Sequence, residues 1–274
     1  MKIVVKLGGE LLAEARASQL AAITSSIAGF VDAGHRVIVV HGGGPQTTAL
    51  QKALGQEPHI VGGRRVTDEA ALTAIEMMVG GRLNIELTSA LRRAGVDAVG
   101  LNGVSGRLIA CERRPPRVVS GGGDRPVDFG FVGDVTGVNE ALLALLLDAG
   151  HVPVIACIGS DATGQAYNIN ADVVANGLAA AVGADRLLLV TSTPGVLRDK
   201  DDPSTRITTM TVAEGRAAIA DGTVQGGMIP KLEESFAALE RGVGEIHILG
   251  DVKAGDLERV LVRPGEVGTA LLSG

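Results

Sequence analysis

Aromatic side chains and cysteine are scarce in this sequence, and basic residues are fewer than acidic ones. Aromatic residues make up 2% of it and tryptophan is absent, so the core must be built mainly from aliphatic side chains. The two cysteines, Cys111 and Cys157, lack the spacing of a metal site, and Cys157 lies in an apolar run where a buried thiol is expected. The formal net charge of −6 excludes a generally basic surface for nucleic acid, but it is compatible with a local anion site.

Membrane and export signals are missing as well. No segment reaches the roughly 18 uninterrupted apolar residues of a membrane span. The first residues, MKIVVKLGG, run directly into a short strand and a glycine turn instead of a signal peptide. We therefore expect a cytoplasmic protein without membrane or nucleic-acid partners.

The common nucleotide-binding fingerprints are incomplete. A Walker A loop needs a Gly-Lys pair, which the chain lacks. A dinucleotide fingerprint needs a third glycine, but Thr47, Pro126 and His247 stand at that place after the three G-x-G segments. The sequence therefore favours neither a P-loop enzyme nor a Rossmann dehydrogenase.

Short β-branched runs alternate with longer helical patterns along most of the chain. This alternation predicts an α/β protein with a mainly parallel sheet that is covered by helices on both faces. The predicted strands are KIVVKL, HRVIVVHGGG, DAVGL, HVPVIACIG, RLLLVTS and EIHILG. The predicted helices cover residues 13–34, 45–54, 68–94, 139–150, 171–183, 211–221 and 231–242.

Residues 103–136 break the alternation. Their short apolar runs are separated by proline and glycine, which predicts hairpins at the rim of the sheet. We expect the arginines of this segment to form a solvated loop surface; they are Arg107, Arg113, Arg114, Arg117 and Arg125.

Glycine turns and two of the six lysines mark a candidate anion site. Gly8-Gly9, Gly42–Gly44 and Gly226-Gly227 follow strands or precede helices, where backbone amides can face an anion, although glycine also serves tight turns for steric reasons. Lys6 and Lys231 stand beside such turns, where a flexible ammonium suits a transferring phosphoryl group. The alternative for Lys6 is a strand-end lysine that reaches solvent.

The segment NINAD brings two amides and a carboxylate to the start of a predicted helix. A helix cap explains one of the three side chains, which are Asn168, Asn170 and Asp172. The other two require a second role.

Taken together, ordered motifs along essentially the whole chain resemble the N-acetylglutamate kinases of the amino-acid kinase family. They are KLGGE, VHGGGPQ, VGGRRVTD, GFVGDV, NINAD and GGMIPK, with GEVGTALL near the end. The resemblance implies an open three-layer αβα sandwich with a mainly parallel central sheet. It implies an N-terminal lobe over residues 1–178 for the amino-acid substrate and dimerisation, and a C-terminal lobe over 179–274 for ATP.

The resemblance also implies an activity and its residues. The expected reaction is ATP-dependent phosphorylation of the side-chain carboxylate of N-acetyl-L-glutamate, the second step of arginine biosynthesis, with Mg²⁺ held by the ATP phosphates and not directly by the protein. Lys6 and Lys231 would flank the phosphoryl group, and Asp172 would hold both lysines. A glutamate side chain ordinarily has a pKa of about 4.3, so the carboxylate nucleophile is already ionised at neutral pH and no general base is required.

Substrate and nucleotide contacts follow from the same resemblance. Arg65 and Asn168 would bind the α-carboxylate end of N-acetylglutamate, and Asn170 would cap the helix. The amides near Gly8, Gly9, Gly43 and Gly44 would receive phosphoryl oxygens and the reacting carboxylate. ATP would lie over Ser192, Thr193, Pro194, Gly195, Val196 and Leu197 and near Thr223, Val224 and Gln225. Many relatives carry aspartate where this chain has Ser192, which adds no charge.

Two other functions compete with this one. A kinase for carrier-bound α-aminoadipate would dock an acidic carrier protein, for which the arginine-rich residues 107–125 offer a basic surface. A non-catalytic nucleotide or amino-acid sensor on the same fold would have little need for both lysines. Since the sequence starts at the first strand, without the extra N-terminal helix of arginine-inhibited members, we expect a homodimer that arginine does not inhibit.

Overall fold

The computed structural model describes residues 1–119 and 122–274, in which strands and helices alternate. The strands are β1 (Lys2–Leu7), β2 (Arg36–His41), β3 (Ile60–Val61), β4 (Arg64–Arg65), β5 (Ala98–Asn102), β6 (Ile109–Arg113), β7 (Gly133–Val138), β8 (Val152–Ala156), β9 (Ile158–Ser160), β10 (Ala166–Asn168), β11 (Arg186–Thr191), β12 (Thr209–Thr211), β13 (Glu245–Gly250) and β14 (Thr269–Leu272). The α-helices are α1 (Ala17–Asp32), α2 (Gly44–Ala53), α3 (Glu69–Ile75), α4 (Asn84–Arg93), α5 (Glu140–Asp148), α6 (Ala171–Val182), α7 (Val212–Ala220), α8 (Met228–Glu240) and α9 (Asp256–Val262).

An eight-stranded sheet forms the centre of the molecule, in the order β12-β14-β13-β11-β1-β2-β8-β5. The strands from β13 to β5 in this order are parallel to their neighbours, and β14 is antiparallel to β13. The predicted mainly parallel sheet is therefore confirmed.

Helices cover both faces of this sheet, as the sequence predicts. One apolar layer joins Val5 of β1 to side chains of α1, α4 and α9, and the other joins Val4 to α5, α6 and α8. Both residues are fully buried, as expected for a central parallel strand. Because side chains alternate along a strand, Lys6 lies on the same face as Val4, which is the face that α6 covers.

One predicted helix starts later than expected, and another has the predicted bounds but an unexpected winding. The helix predicted over 13–34 begins at Ala17, after two 3₁₀ turns at Gly9–Leu12 and Glu14–Arg16. The helix predicted over 68–94 is continuous, but Glu76–Leu83 winds as a π-helix between α3 and α4.

The strand predicted over residues 151–159 is in fact two strands that meet at Cys157. β8 pairs with β2 and β5 in the central sheet, whereas β9 joins β10, β6 and β7 in a second, four-stranded sheet. This second sheet contains the rim hairpin that the sequence predicts, since β6 and β7 pair in antiparallel fashion.

Arg114, at the end of this hairpin strand, corrects another expectation. Its residue surface is only 6% exposed, and its Nε and Nη2 donate to Asp134 Oδ1 at 2.8 and 2.5 Å. The arginines of the segment therefore do not all form a solvated surface, because this one is buried with a carboxylate partner.

The sequence also predicts that no segment spans a membrane and that the chain divides into two lobes. Across residues 1–119 and 122–274, the helices are too short or too polar to cross a membrane. The expected lobe boundary between residues 178 and 179 falls inside α6, and the division stays a prediction.

Candidate active site

The carboxyl ends of the central strands bring the glycine turns together. In the sheet, Leu7 of β1 is aligned with His41 of β2 on one side and with Val190 of β11 on the other. The turns that follow these three strands therefore emerge next to each other, at the edge where ligands of parallel sheets bind.

Two of these turns touch through their backbones. A Cβ atom on Gly9 would lie 2.8 Å from the Cα atom of Gly43, and one on Gly43 would lie 2.9 Å from Val79 Cγ2. Gln46 Nε2, from α2, donates to the carbonyl of Gly9 at 2.6 Å and ties the turns together. Glycine is thus required at position 9 by the close approach of two backbones, and at position 43 by the side chains of Val79 and Leu83 that pack against the turn.

One carboxylate holds two lysines at this edge. Lys6 Nζ lies 2.7 Å from Asp172 Oδ1, and Lys231 Nζ donates to Asp172 Oδ2 at 2.5 Å. Lys6 comes from β1 and is 7% exposed, so the alternative of a lysine that reaches solvent is wrong. Lys231 comes from the first turn of α8.

Burial and charge act in opposite directions on the pKa values of this group. Burial raises the pKa of Asp172, but the two ammonium charges outweigh it and bring the pKa down to about 2. For Lys231, burial lowers the pKa, and the attraction of Asp172 offsets part of this effect. Asp172 is therefore ionised at neutral pH, and one positive charge is left over if both lysines are protonated.

Asn170 of the NINAD segment caps helix α6, as the sequence predicts. Asn170 Oδ1 accepts from the backbone N–H of Asp172 at 2.8 Å, which confirms Asn170 as the N-cap of α6. Asn168 Nδ2 donates to Thr67 Oγ1 at 3.1 Å, and Asp172 lies in the first turn of α6.

A cavity of about 440 Å³ opens beside the first two glycine turns. We call it the glycine-turn cavity. It brings together five of the predicted site residues with an apolar wall that includes Val79 and Cys157; the five are Gly9, Gly43, Gly44, Arg65 and Asn168. Cys157 is buried, as the sequence predicts, and burial raises the pKa of its thiol to about 11.

Arg65 projects from the β3–β4 hairpin over this cavity. Its Nη2 donates to Thr48 Oγ1 at 2.6 Å and to the carbonyl of Gly44 at 3.1 Å, and its Nη1 donates to Gln51. The guanidinium is thus oriented by α2 and still has donors for a planar anion, since arginine carries five.

A second cavity, of about 570 Å³, follows the end of β11. We call it the β11 cavity. Its wall includes Lys231 and six of the residues predicted to bind nucleotide, which are Thr193, Gly195, Leu197, Thr223, Val224 and Gln225. Ser192 is exposed beside it, whereas Val196 is fully buried in the core and contributes its backbone N–H to Thr269 Oγ1 at 2.8 Å.

A third, smaller cavity of about 230 Å³ contains residues that sequence reasoning missed. It is lined by Arg64, Arg114, Arg117 and Glu234 together with Asp172 and Lys231, and it shares Arg65 and Asn168 with the glycine-turn cavity. Burial raises the pKa of Glu234, and the charges of Arg114 and Arg117 oppose that rise. The runs RR and ERRPPR were the only signal of this cluster, and the sequence does not tell which arginines turn inward.

The fold is a three-layer sandwich, and it brings two lysines and two glycine turns to the carboxyl edge of a parallel sheet. These features define a class of α/β proteins that bind anionic ligands at that edge. The chain belongs to the amino acid kinase family, whose sequence profile matches residues 1–250. It is 54% identical to the acetylglutamate kinase of Sorangium cellulosum (strain So ce56) over 98% of this chain and 94% of the relative. It is 53% identical to the acetylglutamate kinase of Anaeromyxobacter dehalogenans (strain 2CP-1 / ATCC BAA-258) over 99% of this chain and 98% of the relative.

Solved structures share the fold. The N-acetylglutamate synthase from Neisseria gonorrhoeae, complexed with coenzyme A and N-acetyl-glutamate, superposes with a TM-score of 0.82 at 25% identity. That comparison covers 100% of this chain but only 59% of the synthase chain. The carbamate kinase from Giardia lamblia bound to AMP-PNP superposes with a TM-score of 0.70 at 16% identity over 100% of this chain and 98% of that chain, which shows likeness of fold alone.

Proposed function

We propose that this protein is an acetylglutamate kinase, which transfers the γ-phosphoryl group of ATP to the side-chain carboxylate of N-acetyl-L-glutamate in arginine biosynthesis. The single observation that carries the proposal is the Lys6–Asp172–Lys231 group beside the glycine turns, in a chain that is 53–54% identical to acetylglutamate kinases over nearly its full length. The product is an acyl phosphate, N-acetyl-L-glutamyl 5-phosphate.

The glycine-turn cavity holds N-acetylglutamate in this proposal. Arg65 binds the α-carboxylate, because its planar fork matches a carboxylate and α2 already orients it. Asn168 contributes an amide on the same side, and the reacting carboxylate lies against the amides of Gly43 and Gly44. The apolar wall at Val79 and Cys157 is compatible with the methyl group of the acetyl substituent.

The β11 cavity holds ATP, with its phosphates directed toward Lys231. That residue lines both the β11 cavity and the small arginine-lined cavity, which in turn shares residues with the glycine-turn cavity. This continuity supports in-line transfer between the two ligands. It also supports the two proposed lobes, since the glycine-turn cavity is lined by residues up to 171 and the β11 cavity by residues from 191 onward.

Charge neutralisation is the main catalytic effect in this mechanism. The nucleophilic carboxylate is ionised already, so it attacks without a general base, and what must be stabilised is the negative charge of the transferring group. Lys6 and Lys231 flank this group, and the amides of Gly9 and the Gly43 turn donate to its oxygens. The expectation that the Gly8 amide takes part is wrong, because its N–H donates to the carbonyl of Val190 at 3.0 Å. Asp172 keeps the two ammonium groups in position before the phosphoryl group binds.

We infer that Mg²⁺ enters with ATP. Both oxygens of Asp172 face lysine ammonium groups, so this carboxylate is occupied and the ion would be held by the ATP phosphates. When bound, the ion would supply positive charge that neutralises the phosphates. The resemblance further supports a cytoplasmic homodimer, and light scattering of the purified protein tests the dimer.

Substrate-dependent ADP release tests the proposed function. N-acetyl-L-glutamate is compared with L-glutamate, which lacks the acetyl group, and with N-acetyl-L-aspartate, which is one methylene shorter. We expect rapid ADP release with N-acetyl-L-glutamate alone among the three. ADP release that none of the three stimulates would contradict the proposal and would favour the carrier-bound α-aminoadipate or a sensor.

A further inference from the structure

His41 is fully buried directly behind the Gly42–Gly44 turn, between the end of β2 and helix α4. Its Nδ1 lies 3.0 Å from the carbonyl oxygen of Gly42, and its Nε2 lies 3.0 Å from Asn84 Nδ2. Asn84 is itself 5% exposed and is the first residue of α4, directly after the π-helical segment. The proposed mechanism leaves both side chains without a role.

The neighbours of Asn84 determine where the imidazole proton is. Asn84 Nδ2 also lies 2.9 Å from the carbonyl of Val154 and 3.3 Å from that of Leu101. Carbonyl oxygens only accept hydrogen bonds, so the amide nitrogen of Asn84, and not its oxygen, must face this side. The two hydrogens of this nitrogen are directed to its two nearest acceptors, the carbonyl of Val154 and His41 Nε2. The imidazole proton is therefore on Nδ1, from where it is donated to the carbonyl of Gly42.

The protonation equilibrium agrees with this assignment. Burial lowers the pKa of His41 to about 4, although the hydrogen bond to Gly42 partly opposes that shift. The ring is therefore neutral at physiological pH. A proton on both nitrogens would also set an N–H of His41 against an N–H of Asn84.

A hydrogen bond to the carbonyl of Gly42 orients the next amide. In a trans peptide the C=O and the N–H lie in one plane and point in opposite directions. His41 holds the Gly42 carbonyl on the α4 side of the sheet, whereas a Cβ on Gly42 would point to the α6 side, 3.5 Å from Ala171 Cβ. The N–H of Gly43 is therefore directed away from His41, toward the side on which the glycine-turn cavity opens.

We propose that His41, held by Asn84, is a positioning residue that fixes the Gly42–Gly43 peptide so that the Gly43 N–H points at the reacting carboxylate or the transferring phosphoryl group. This inference rests on the proposed function, because it assigns the Gly43 amide to the reaction. His41 touches no substrate and acts only through the peptide. The space that Asn84 needs is provided by Gly100 of β5, where a Cβ would collide with the Asn84 side-chain oxygen.

Nitrogen-15 correlation spectra of the imidazole rings test the first step without any assay of activity. The chain has five histidines, so the His41 signals are assigned by their loss in His41→Asn. We expect wild-type His41 as the neutral Nδ1–H tautomer at pH 7. An Nε2–H tautomer or a protonated ring would overturn the inference.

Steady-state kinetics test the second step. His41→Leu removes the donor, whereas His41→Asn keeps an amide N–H near the position of Nδ1. We expect kcat of His41→Leu to fall by roughly 10- to 100-fold with the KM for ATP nearly unchanged, since a displacement of about 1 Å in a positioned group can cost about 100-fold. His41→Asn is expected to recover most of that loss.

His247→Leu is the matched control. His247 is also fully buried, with a pKa that burial lowers to about 4, but it lies on β13, separated from β2 by β11 and β1, and faces Glu245. We expect this variant to lose thermal stability while kcat per folded molecule stays near wild type.

Equal kcat in His41→Leu and wild type would overturn the inference, as would equal losses in the Leu and Asn variants. If His41→Leu does not fold, the imidazole spectra and the kcat of His41→Asn relative to wild type still test the inference. Wild type without activity toward N-acetylglutamate would instead count against the proposed function, whatever the tautomer is.

Discussion

Lys6 and Lys231 hold the two oxygens of one carboxylate, Lys6 from the central strand β1 and Lys231 from the first turn of α8. Both ammonium groups are largely buried, and Asp172 supplies a single negative charge between them. With both lysines protonated, this group carries one uncompensated positive charge. An incoming phosphoryl group supplies the missing negative charge, which is the physical core of the proposed mechanism.

Removal of either lysine should affect the rate more than nucleotide binding. We expect Lys6→Met and Lys231→Met to lower kcat by about 100- to 1,000-fold, on the scale of losing one donor to a developing charge. Lys253→Met, which changes an exposed lysine, serves as the control and should leave kcat unchanged. A fall in kcat of less than about tenfold in both site variants would contradict the assigned roles.

Asp172 should make folding stability depend on acidity. Its pKa is about 2 in the folded protein against an ordinary value of 3.8, so its stabilising effect is complete above about pH 5 and is lost progressively as pH falls through 3.8 toward 2. At about 1.4 kcal/mol per unit, this amounts to about 2 kcal/mol. Asp172→Asn should remove this part of the pH dependence, as measured by urea unfolding at pH 6 and pH 3.

The comparison needs an exposed aspartate as a reference. Asp124→Asn changes one, and this variant should keep the pH dependence of wild type. If Asp172→Asn and wild type lose the same free energy of unfolding between the two pH values, the lysines do not lower the pKa of Asp172 as described.

Arg65 should decide affinity for the amino-acid substrate. We expect Arg65→Lys to raise the KM for N-acetyl-L-glutamate by about tenfold or more, since one charged hydrogen bond contributes about 1.5–3 kcal/mol, while the KM for ATP changes little. Arg64→Lys is the matched neighbour, because Arg64 lines the small arginine-lined cavity but not the glycine-turn cavity. Equal effects of the two substitutions on that KM would argue against a specific carboxylate contact at Arg65.

The contact between the two glycine turns predicts that alanine is tolerated at Gly44 but destabilises the protein at Gly9. Gly9→Ala places a methyl group 2.8 Å from the Cα atom of Gly43, and backbone cannot move aside as a flexible side chain can, so we expect a loss of about 1–3 kcal/mol in the free energy of unfolding. Gly44→Ala meets no heavy atom within 4 Å and should be as stable as wild type. Chemical denaturation of both variants measures this difference, and equal stabilities would contradict the close packing.

Much of the fold could be predicted from the sequence because local patterns and the global architecture agree. The apolar runs of β1, β2, β11 and β13 can only be buried on both faces, and the helical segments between them are long enough for parallel crossovers. The cap at Asn170 was predictable for the same reason, since its role depends only on neighbours in the chain.

What the sequence did not reveal depends on contacts between distant segments. The apolar run 151–159 has no visible break, and it divides at Cys157 only because β9 pairs with strands of the second sheet. Arg114 is buried with Asp134 as its partner, whereas its neighbour Arg113 is exposed and pairs with Asp128, and the local sequence does not distinguish the two. The spacing of NINAD likewise places Asp172 at a helix start but cannot say that two lysines from distant segments reach it.

Trapping of the acyl phosphate tests the central claim most directly. The protein is incubated with ATP, Mg²⁺, N-acetyl-L-glutamate and hydroxylamine, which converts an acyl phosphate to a stable hydroxamate, and Lys6→Met is assayed in parallel. We predict one hydroxamate formed per ADP released by wild type, and a rate reduced by about 100-fold or more in the variant. ATP binding without any hydroxamate, or hydroxamate formation that Lys6→Met leaves unchanged, would contradict phosphoryl transfer at the site formed by Lys6, Asp172 and Lys231.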